Sequence, residues 1–347
     1  MKARTPSPHP AARTTAARAW ATGLRGIVAL AILIGLGGCE PPPATKQVSA
    51  AGGYIAVIGA AEADPLWPVF RGVAERSARG LGSQGVPVRV AAPAKGTPNA
   101  QIAAVRALQG PDMRGLCIHP VDSLMMREVL CELQTQGVAV VTMMQRIECA
   151  DPLPFAGIDE VAAGKELAEV LLGLLDGAGT AVILSDASAP RSTLDRQLGF
   201  TERLNLSSGI EVQRELDCDG NAFVAARMMR DYMERFPRLD AWVALDNWPL
   251  RDLAADQRLL PAGCRLITTK PYPAYWSRLT DGTCHALVGV RYERIPEAAL
   301  RMCLAQMVGE PLSTEAYLAP PLTITERNLA WFRAHWQSTC RRPEDAE

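Results

Sequence analysis

The sequence predicts an α/β protein built from two doubly wound parallel-sheet lobes. Three observations point there. Short apolar runs alternate with longer amphipathic stretches from residue 54 onward, turn residues fall at the joints, and the whole pattern restarts after Pro152. A strand buried on both faces needs an unbroken apolar run, and parallel neighbours need a crossover, usually a helix, between them.

The first run, Tyr54-Ile55-Ala56-Val57-Ile58-Gly59, leads into a helical spacing at Val69, Val73 and Ala74. Val86-Pro87-Val88-Arg89-Val90 is the next strand, and its proline suits a strand start or an edge because it cannot donate to a ladder. A helix over 101–108, a strand at Leu116-Cys117-Ile118, a helix over 124–133 and a strand at 138–142 complete a β-α-β-α-β series. The second series expects a helix over 161–175, a strand at 180–184, a helix over 192–206, a strand at 210–216 and a helix over 221–235. Strands at 241–245 and 265–268 flank a short helix, and a strand at 286–290 precedes a helix from Glu297 to Met307. No short sequence repeat relates the two halves.

The N-terminus has a different character. Lys2, Arg4, Arg13, Arg18 and Arg25 precede the apolar run from Ile27 to Ile34, and Leu36-Gly37-Gly38-Cys39 comes next, with no acidic residue before Glu40. A basic start, an apolar stretch too short to span a bilayer and small residues before a cut read as a secretory signal peptide over 1–38. The Leu-Gly-Gly-Cys ending resembles the bacterial lipobox, which implies lipidation of Cys39. Residues 39–52, with Pro41, Pro42 and Pro43 in a row, read as a Pro-rich tether. The chain beyond residue 52 is long enough for about two domains.

Removing 1–38 takes five of the 36 Lys/Arg and none of the 37 Asp/Glu, leaving 31 against 37. A mildly acidic surface without a basic cluster argues against a nucleic-acid partner. Eight cysteines lie beyond Cys39, an even number that permits disulfides in an exported protein. No CxxC spacing occurs and only His119, His285 and His335 lie beyond the signal, so no metal site is expected. Cys264 and Cys284 each precede an apolar run read as neighbouring strands, so the preferred bridge joins them; the alternative is that most cysteines are small buried apolar residues. No Gly-x-Ser-x-Gly, His-Glu-x-x-His, P-loop or Gly-x-Gly-x-x-Gly motif is present, and His119 has no obvious carboxylate partner in sequence, so neither an enzyme nor a cofactor is expected.

Several weak motifs stand in a telling order. Asp64-Pro65-Leu66-Trp67 comes after the first strand; Gln101 precedes Gly115-Leu116-Cys117-Ile118-His119-Pro120-Val121-Asp122; then come Gly137-Val138-Ala139-Val140-Val141-Thr142, Gly157-Ile158-Asp159 with Ala163-Gly164, Arg196-Gln197-Leu198-Gly199-Phe200, Asp246-Asn247 and Asp281-Gly282-Thr283. Together they resemble the type I periplasmic binding proteins, the ribose-binding-protein-like sugar binders, from about Tyr54 to Trp336. The resemblance implies two lobes joined by a three-strand hinge, with crossings near 158, 290 and 320. The N-terminal lobe would comprise 53–158 plus 291–320, and the C-terminal lobe 159–290 plus 321–340. It further implies a cleft between lobes for a small sugar-like ligand, handed to an ABC permease at the periplasmic face of a membrane, or reported to a membrane receptor or histidine kinase.

Carried onto this chain, the resemblance assigns Trp67, in the loop with Asp64, to stacking on a sugar ring. Arg196 matches the ligand-binding arginine of Arg-x-x-Gly-Phe. Arg146 stands for the arginine after the Thr142 strand, and Asp246 or Asn247 faces the ligand, with a helix N-cap role as the alternative. Two departures put Lys270 where the family has an aspartate and Arg291 where a cleft glutamine is expected. They imply a more electropositive cleft suited to an acidic or phosphorylated sugar.

Overall fold

Every side chain of β1 (Tyr54–Ile58) is buried, because the strand lies inside a sheet covered on both faces. Tyr54, Ala56 and Ile58 join one apolar cluster with Val105, Leu116 and Leu130, while Ile55 and Val57 enter the opposite cluster with Phe70 and Ala74. The period of two along a strand produces this split. The structure is a computed structural model that describes residues 53–82, 86–254, 257–312 and 314–341. The signal peptide at 1–38, Cys39 and the tether to residue 52 lie outside the described residues.

After β1 the chain runs through α1 (Trp67–Gly82), β2 (Val88–Ala91), α2 (Pro98–Leu108), β3 (Met113–Ile118), α3 (Arg127–Thr135), β4 (Ala139–Met143) and β5 (Phe155–Ile158). A second series comes next: α4 (Glu160–Leu174), β6 (Gly179–Ser185), α5 (Arg191–Leu204), β7 (Ile210–Asp217), α6 (Ala222–Arg235), β8 (Ala241–Ala244), α7 (Trp248–Arg251), β9 (Arg265–Thr269), α8 (Trp276–Thr280) and β10 (Ala286–Val290). The chain ends through α9 (Arg294–Met307), β11 (Ala316–Ala319), β12 (Pro321–Ile324) and α10 (Glu326–Cys340). Some helix starts, among them α4, α6 and α10, carry side-chain acceptors. Asp159 accepts from the Ala162 N–H, Asn221 from Phe223 and Val224, and Thr325 and Asn328 form a reciprocal cap on α10.

Two six-stranded sheets result, ordered β11-β5-β4-β3-β1-β2 and β12-β10-β9-β8-β6-β7. Each half has the same winding, so β1 to β5 correspond to β6 to β10 although no sequence repeat shows it. All described pairings are parallel except β10 with β12. Pro87 lies just before the edge strand β2, where its carbonyl accepts from Ile55 and its missing N–H costs nothing. The chain leaves the first sheet after Ile158. After Val290 it returns, with α9 packing on β3 and β4, and Pro320 separates β11 in the first sheet from β12 in the second. No helix among the described residues is long and apolar enough to cross a membrane.

The expected Cys264–Cys284 bridge is corrected. Cys131 on α3 is bonded instead to Cys149, with Cα atoms 5.6 Å apart. Cys264 and Cys284 are free and buried. Their strands are indeed neighbours, with Ala286 beside Ile267. Extending that register sets Cys284 beside Arg265, so Cys264 is one residue out of step, and a one-residue offset turns a side chain to the other face.

Candidate functional site

In the first sheet the strand order reverses between β1 and β3, and in the second between β6 and β8. Loops leaving the carboxyl ends of such neighbours part in opposite directions and open a crevice. One cavity of about 1060 Å³ is lined by all four of these loops: Ala60 and Asp64 after β1, His119 and Pro120 after β3, Asp186 and Pro190 after β6, and Asp246 and Trp248 after β8. It exceeds the roughly 300–1,000 Å³ usual for small-molecule pockets, so one small ligand would not fill it in this conformation.

On the side of the first sheet a buried glutamine ties two of the loops. Gln101 Nε2 donates to the Gly59 carbonyl at 2.9 Å and the His119 carbonyl at 2.7 Å, and its Oε1 accepts from the Val121 N–H at 2.9 Å. Asp64 Oδ1 accepts from the Leu66 N–H at 2.8 Å, and its Oδ2 lies 3.3 Å from His119 Nδ1. The carboxylate partner of His119 is therefore Asp64, distant in sequence, while Asp122 three residues on accepts from the Leu124 and Met125 N–H groups instead. Burial lowers the His119 pKa below its ordinary value, and Asp64 offsets only part of that effect.

On the other side, two glycines decide the geometry. A Cβ on Gly164 of α4 would lie 1.9 Å from the Arg196 carbonyl oxygen, and one on Gly199 of α5 would lie 2.0 Å from that of Val161. The two helices touch at backbone distance, which sets Arg196 against Glu160 at the start of α4. Its Nη2 is 2.6 Å from Glu160 Oε2, its Nη1 donates to the Leu245 carbonyl at 2.5 Å, and Asp246 Oδ2 lies 3.8 Å away. Asp246 also accepts from Lys270 Nζ at 2.7 Å and from the Asn247 N–H at 2.6 Å. Burial pushes the Asp246 carboxyl up, but the Lys270 and Arg196 charges outweigh it and hold the pKa below its usual value. Glu160, Arg196, Asp246 and Lys270 thus form one chain of opposite charges.

Lys270 and Met144 occupy left-handed backbone, with φ of 61° and 64°. They come directly after the corresponding strands β9 and β4, and both line the cavity. Such strain costs about 1–3 kcal/mol for a non-glycine residue and gathers at ligand sites. Tyr272 and Tyr292 add aromatic wall, their ring centroids 5.9 Å apart. Burial raises both phenol pKa values, so both hydroxyls keep their protons.

Five sequence-named residues therefore share the cavity wall: Asp64, Arg146, Arg196, Asp246 and Lys270. Arg146 is exposed, with its guanidinium 4.2 Å from the Phe155 ring centroid. Three others sit elsewhere. Trp67 is 4 % exposed and packs beneath Gly59 within the apolar core, because α1 begins with it and turns its ring inward. Asn247 occupies the N-cap position of α7, buried and off the cavity wall, without a side-chain capping bond. Arg291 turns to Glu293, 2.7 Å away, and to His335 on α10. Its neighbour Tyr292 takes the wall position instead. The expected electropositive cleft is likewise corrected. Lys270 is neutralised by Asp246, Arg291 is absent from the wall, and Asp64, Glu160, Asp186 and Asp246 line it beside the bases. Glu160, Asp186, Trp248, Tyr272 and Tyr292 were not named from sequence, although Glu160 and Tyr292 each stand directly after a residue that was.

Two lobes wound alike, with a shared crevice at their strand ends, define a solute-binding protein of the type I fold. The periplasmic binding protein domain family matches residues 55–311, and the chain belongs to it. Family membership makes it a binding protein rather than an enzyme, working outside the cytoplasm. A solute-binding protein of an ABC transporter from Burkholderia graminis, solved with D-arabinose, is similar at 17% identity and a TM-score of 0.64, covering 81% of this chain and 97% of that one. The Caulobacter myo-inositol binding protein, solved with myo-inositol, is similar at 20% identity and a TM-score of 0.61, over 85% and 98% of the two chains. A sugar-binding protein of a sugar ABC transporter from Bacillus halodurans has a TM-score of 0.67 at 17% identity, over 81% and 99%. No curated protein matched the sequence.

Proposed function

We propose that the chain is a lipid-anchored extracytoplasmic solute-binding protein that captures a small sugar-like ligand between its lobes and delivers it to an ABC permease. The observation that carries this reading is the cavity bounded by the switch-point loops of both sheets. Its wall combines buried hydrogen-bonding groups with the rings of Tyr272 and Tyr292, the mixture that recognises hydroxyl-bearing rings. The likeness to proteins solved with D-arabinose and myo-inositol supports a polyol. The excess volume supports closure on ligand about the passes near 158, 290 and 320. We assign the lobes as 53–158 plus 291–320 and 159–290 plus 321–340, and Asp64, Arg146, Arg196, Asp246 and Lys270 as ligand contacts. Cys39 is the lipid attachment point, which keeps the binding protein concentrated beside its membrane partner.

Native mass spectrometry of the protein purified from its own cells tests the reading. A one-to-one adduct with the mass of a monosaccharide or cyclitol, lost in Arg196→Ala, is expected. An adduct of another class, such as an amino acid, contradicts it. Delivery is tested by crosslinking in cells, where capture of a permease supports uptake and capture of a histidine kinase alone supports sensing. Cys39→Ala releases the protein from the membrane fraction if that residue is the anchor.

A further inference from the structure

The charges around the cavity are unevenly satisfied. Lys270 and Arg196 are joined to Asp246 and Glu160, Arg191 to Asp195, and Arg127 donates to the Glu148 carbonyl. Asp186, in the loop after β6, is different. It is 8 % exposed and belongs to no ion pair among the described residues. Its Oδ1 accepts from the N–H and the hydroxyl of Ser188 at 2.9 and 2.8 Å, while Oδ2 has no partner there. That oxygen faces the cavity, and a carboxylate oxygen with no protein donor takes its hydrogen bonds from water or from a ligand group.

The space facing that oxygen is a gap with a built shape. Gly220, in the loop after β7, is in left-handed backbone with φ of 60°, and a Cβ there would lie 2.8 Å from Asp186 Oδ2 and 3.8 Å from Trp248 Nε1. Asp186, Gly220 and Trp248 all line the cavity. The Trp248 side chain is buried, and its indole N–H also lacks a partner among the described residues. A strong acceptor and a donor thus flank one point beside a residue with no side chain to occupy it. They lie at the switch point of the second sheet, mirroring Asp64 and His119 in the first, except that those two already satisfy each other.

We infer that Asp186, Trp248 and the side-chain-free Gly220 form a subsite that receives a hydrogen-bond-donating group of the ligand, a hydroxyl or an ammonium, and rejects an anionic one. This rests on the polyol reading and sharpens it. A hydroxyl satisfies both partners, giving its proton to Asp186 and accepting from Trp248. An ammonium satisfies the carboxylate alone. A carboxylate or phosphate placed there meets a buried negative charge.

Calorimetric titration of the purified chain with D-arabinose, myo-inositol and D-glucose, with D-glucosamine, and with D-glucuronate and glucose 6-phosphate tests this. An uncharged or amine-bearing probe should bind best. Asp186→Asn keeps an acceptor for Ser188 but turns a donor toward the gap, so it should weaken the best probe at least tenfold with the melting temperature retained. Trp248→Phe keeps the ring and removes only the N–H, and should cost a hydroxyl ligand two- to tenfold. A larger loss for D-glucosamine than for D-glucose in Asp186→Asn identifies an ammonium, and the reverse a hydroxyl. The inference is overturned if an anionic probe binds best, or if the best probe binds Asp186→Asn within twofold of the parent. Should Asp186→Asn fail to fold, an unchanged affinity in Trp248→Phe overturns the paired subsite. Failure of every probe against the parent overturns the polyol reading itself.

Discussion

Arg196 meets Glu160 at 2.6 Å because Gly164 and Gly199 let their helices touch at backbone distance. The two glycines stand in motifs separated by more than thirty residues, and their joint effect is to plant a buried guanidinium at the cleft wall. With Asp246 and Lys270 this makes a charge network whose members depend on one another.

Removing one partner leaves a buried charge uncompensated, which costs about 3–5 kcal/mol. Glu160→Ala is therefore expected to lower unfolding free energy by about 3 kcal/mol in urea titrations and to abolish ligand binding. A loss below about 1 kcal/mol would mean that the Leu245 carbonyl and Asp246 suffice to hold Arg196.

Gly164→Ala and Gly173→Ala make a matched pair on α4. The first drives a methyl into the Arg196 backbone, whereas the second meets nothing within 4 Å. Overpacking costs about 1–3 kcal/mol or more, and relief of a helical glycine gains up to about 1 kcal/mol. Thermal melts should move in opposite directions, and equal shifts would contradict the helix contact.

Cys131 and Cys149 enclose a loop that reaches the cavity through Gln145, Arg146 and Glu148. A loop of that length gains about 3 kcal/mol from its crosslink. Reductant should lower stability by about that amount, with no further effect on a Cys131→Ser variant. Peptide mapping after alkylation should find Cys264 and Cys284 as separate thiols; a peptide joining them would refute the register argument.

Acid should weaken the fold in two steps. His119 and His285 are held below their ordinary pKa, chiefly by burial, so the unfolded chain takes up protons first. Their contribution is full above about pH 6.5 and declines as the pH falls below it. Asp246 has a depressed pKa despite its burial, so its contribution persists above about pH 4 and is lost as the pH drops through the folded value. Stability measured from about pH 7.5 to about pH 3 should show both slopes. His119→Gln should flatten part of the upper one and Asp246→Asn the lower; unchanged slopes would contradict these assignments.

The long apolar runs made the fold legible. Tyr54 to Ile58 and Ala286 to Val290 are buried at every position, and only a doubly covered parallel sheet needs that. The elements that escaped are the four-residue strands β5, β11 and β12 and the five-residue helix α8, too short to carry a period, and α10, whose Thr325–Asn328 cap is less distinctive than an acidic one. Motif position led to Arg196 and Asp246 on the cavity wall, where helix contacts and a strand end fix them. Trp67 and Arg291 lie off that wall, while Leu66 and Tyr292, one step along the chain from them, line it. Asp186 carried no signal, since its significance lies in what Gly220 leaves open.

Closure of the cleft on a polyol is the central claim, and a distance across the cavity tests it most directly. Spin labels on Ser123→Cys and Ser192→Cys would sit on opposite walls, one in the loop after β3 and one at the start of α5. Pulsed electron resonance with saturating amounts of the tightest uncharged probe should shift the distance distribution to shorter values, and Arg196→Ala should abolish the shift. A distribution unchanged by a ligand that calorimetry shows to be bound would contradict the account.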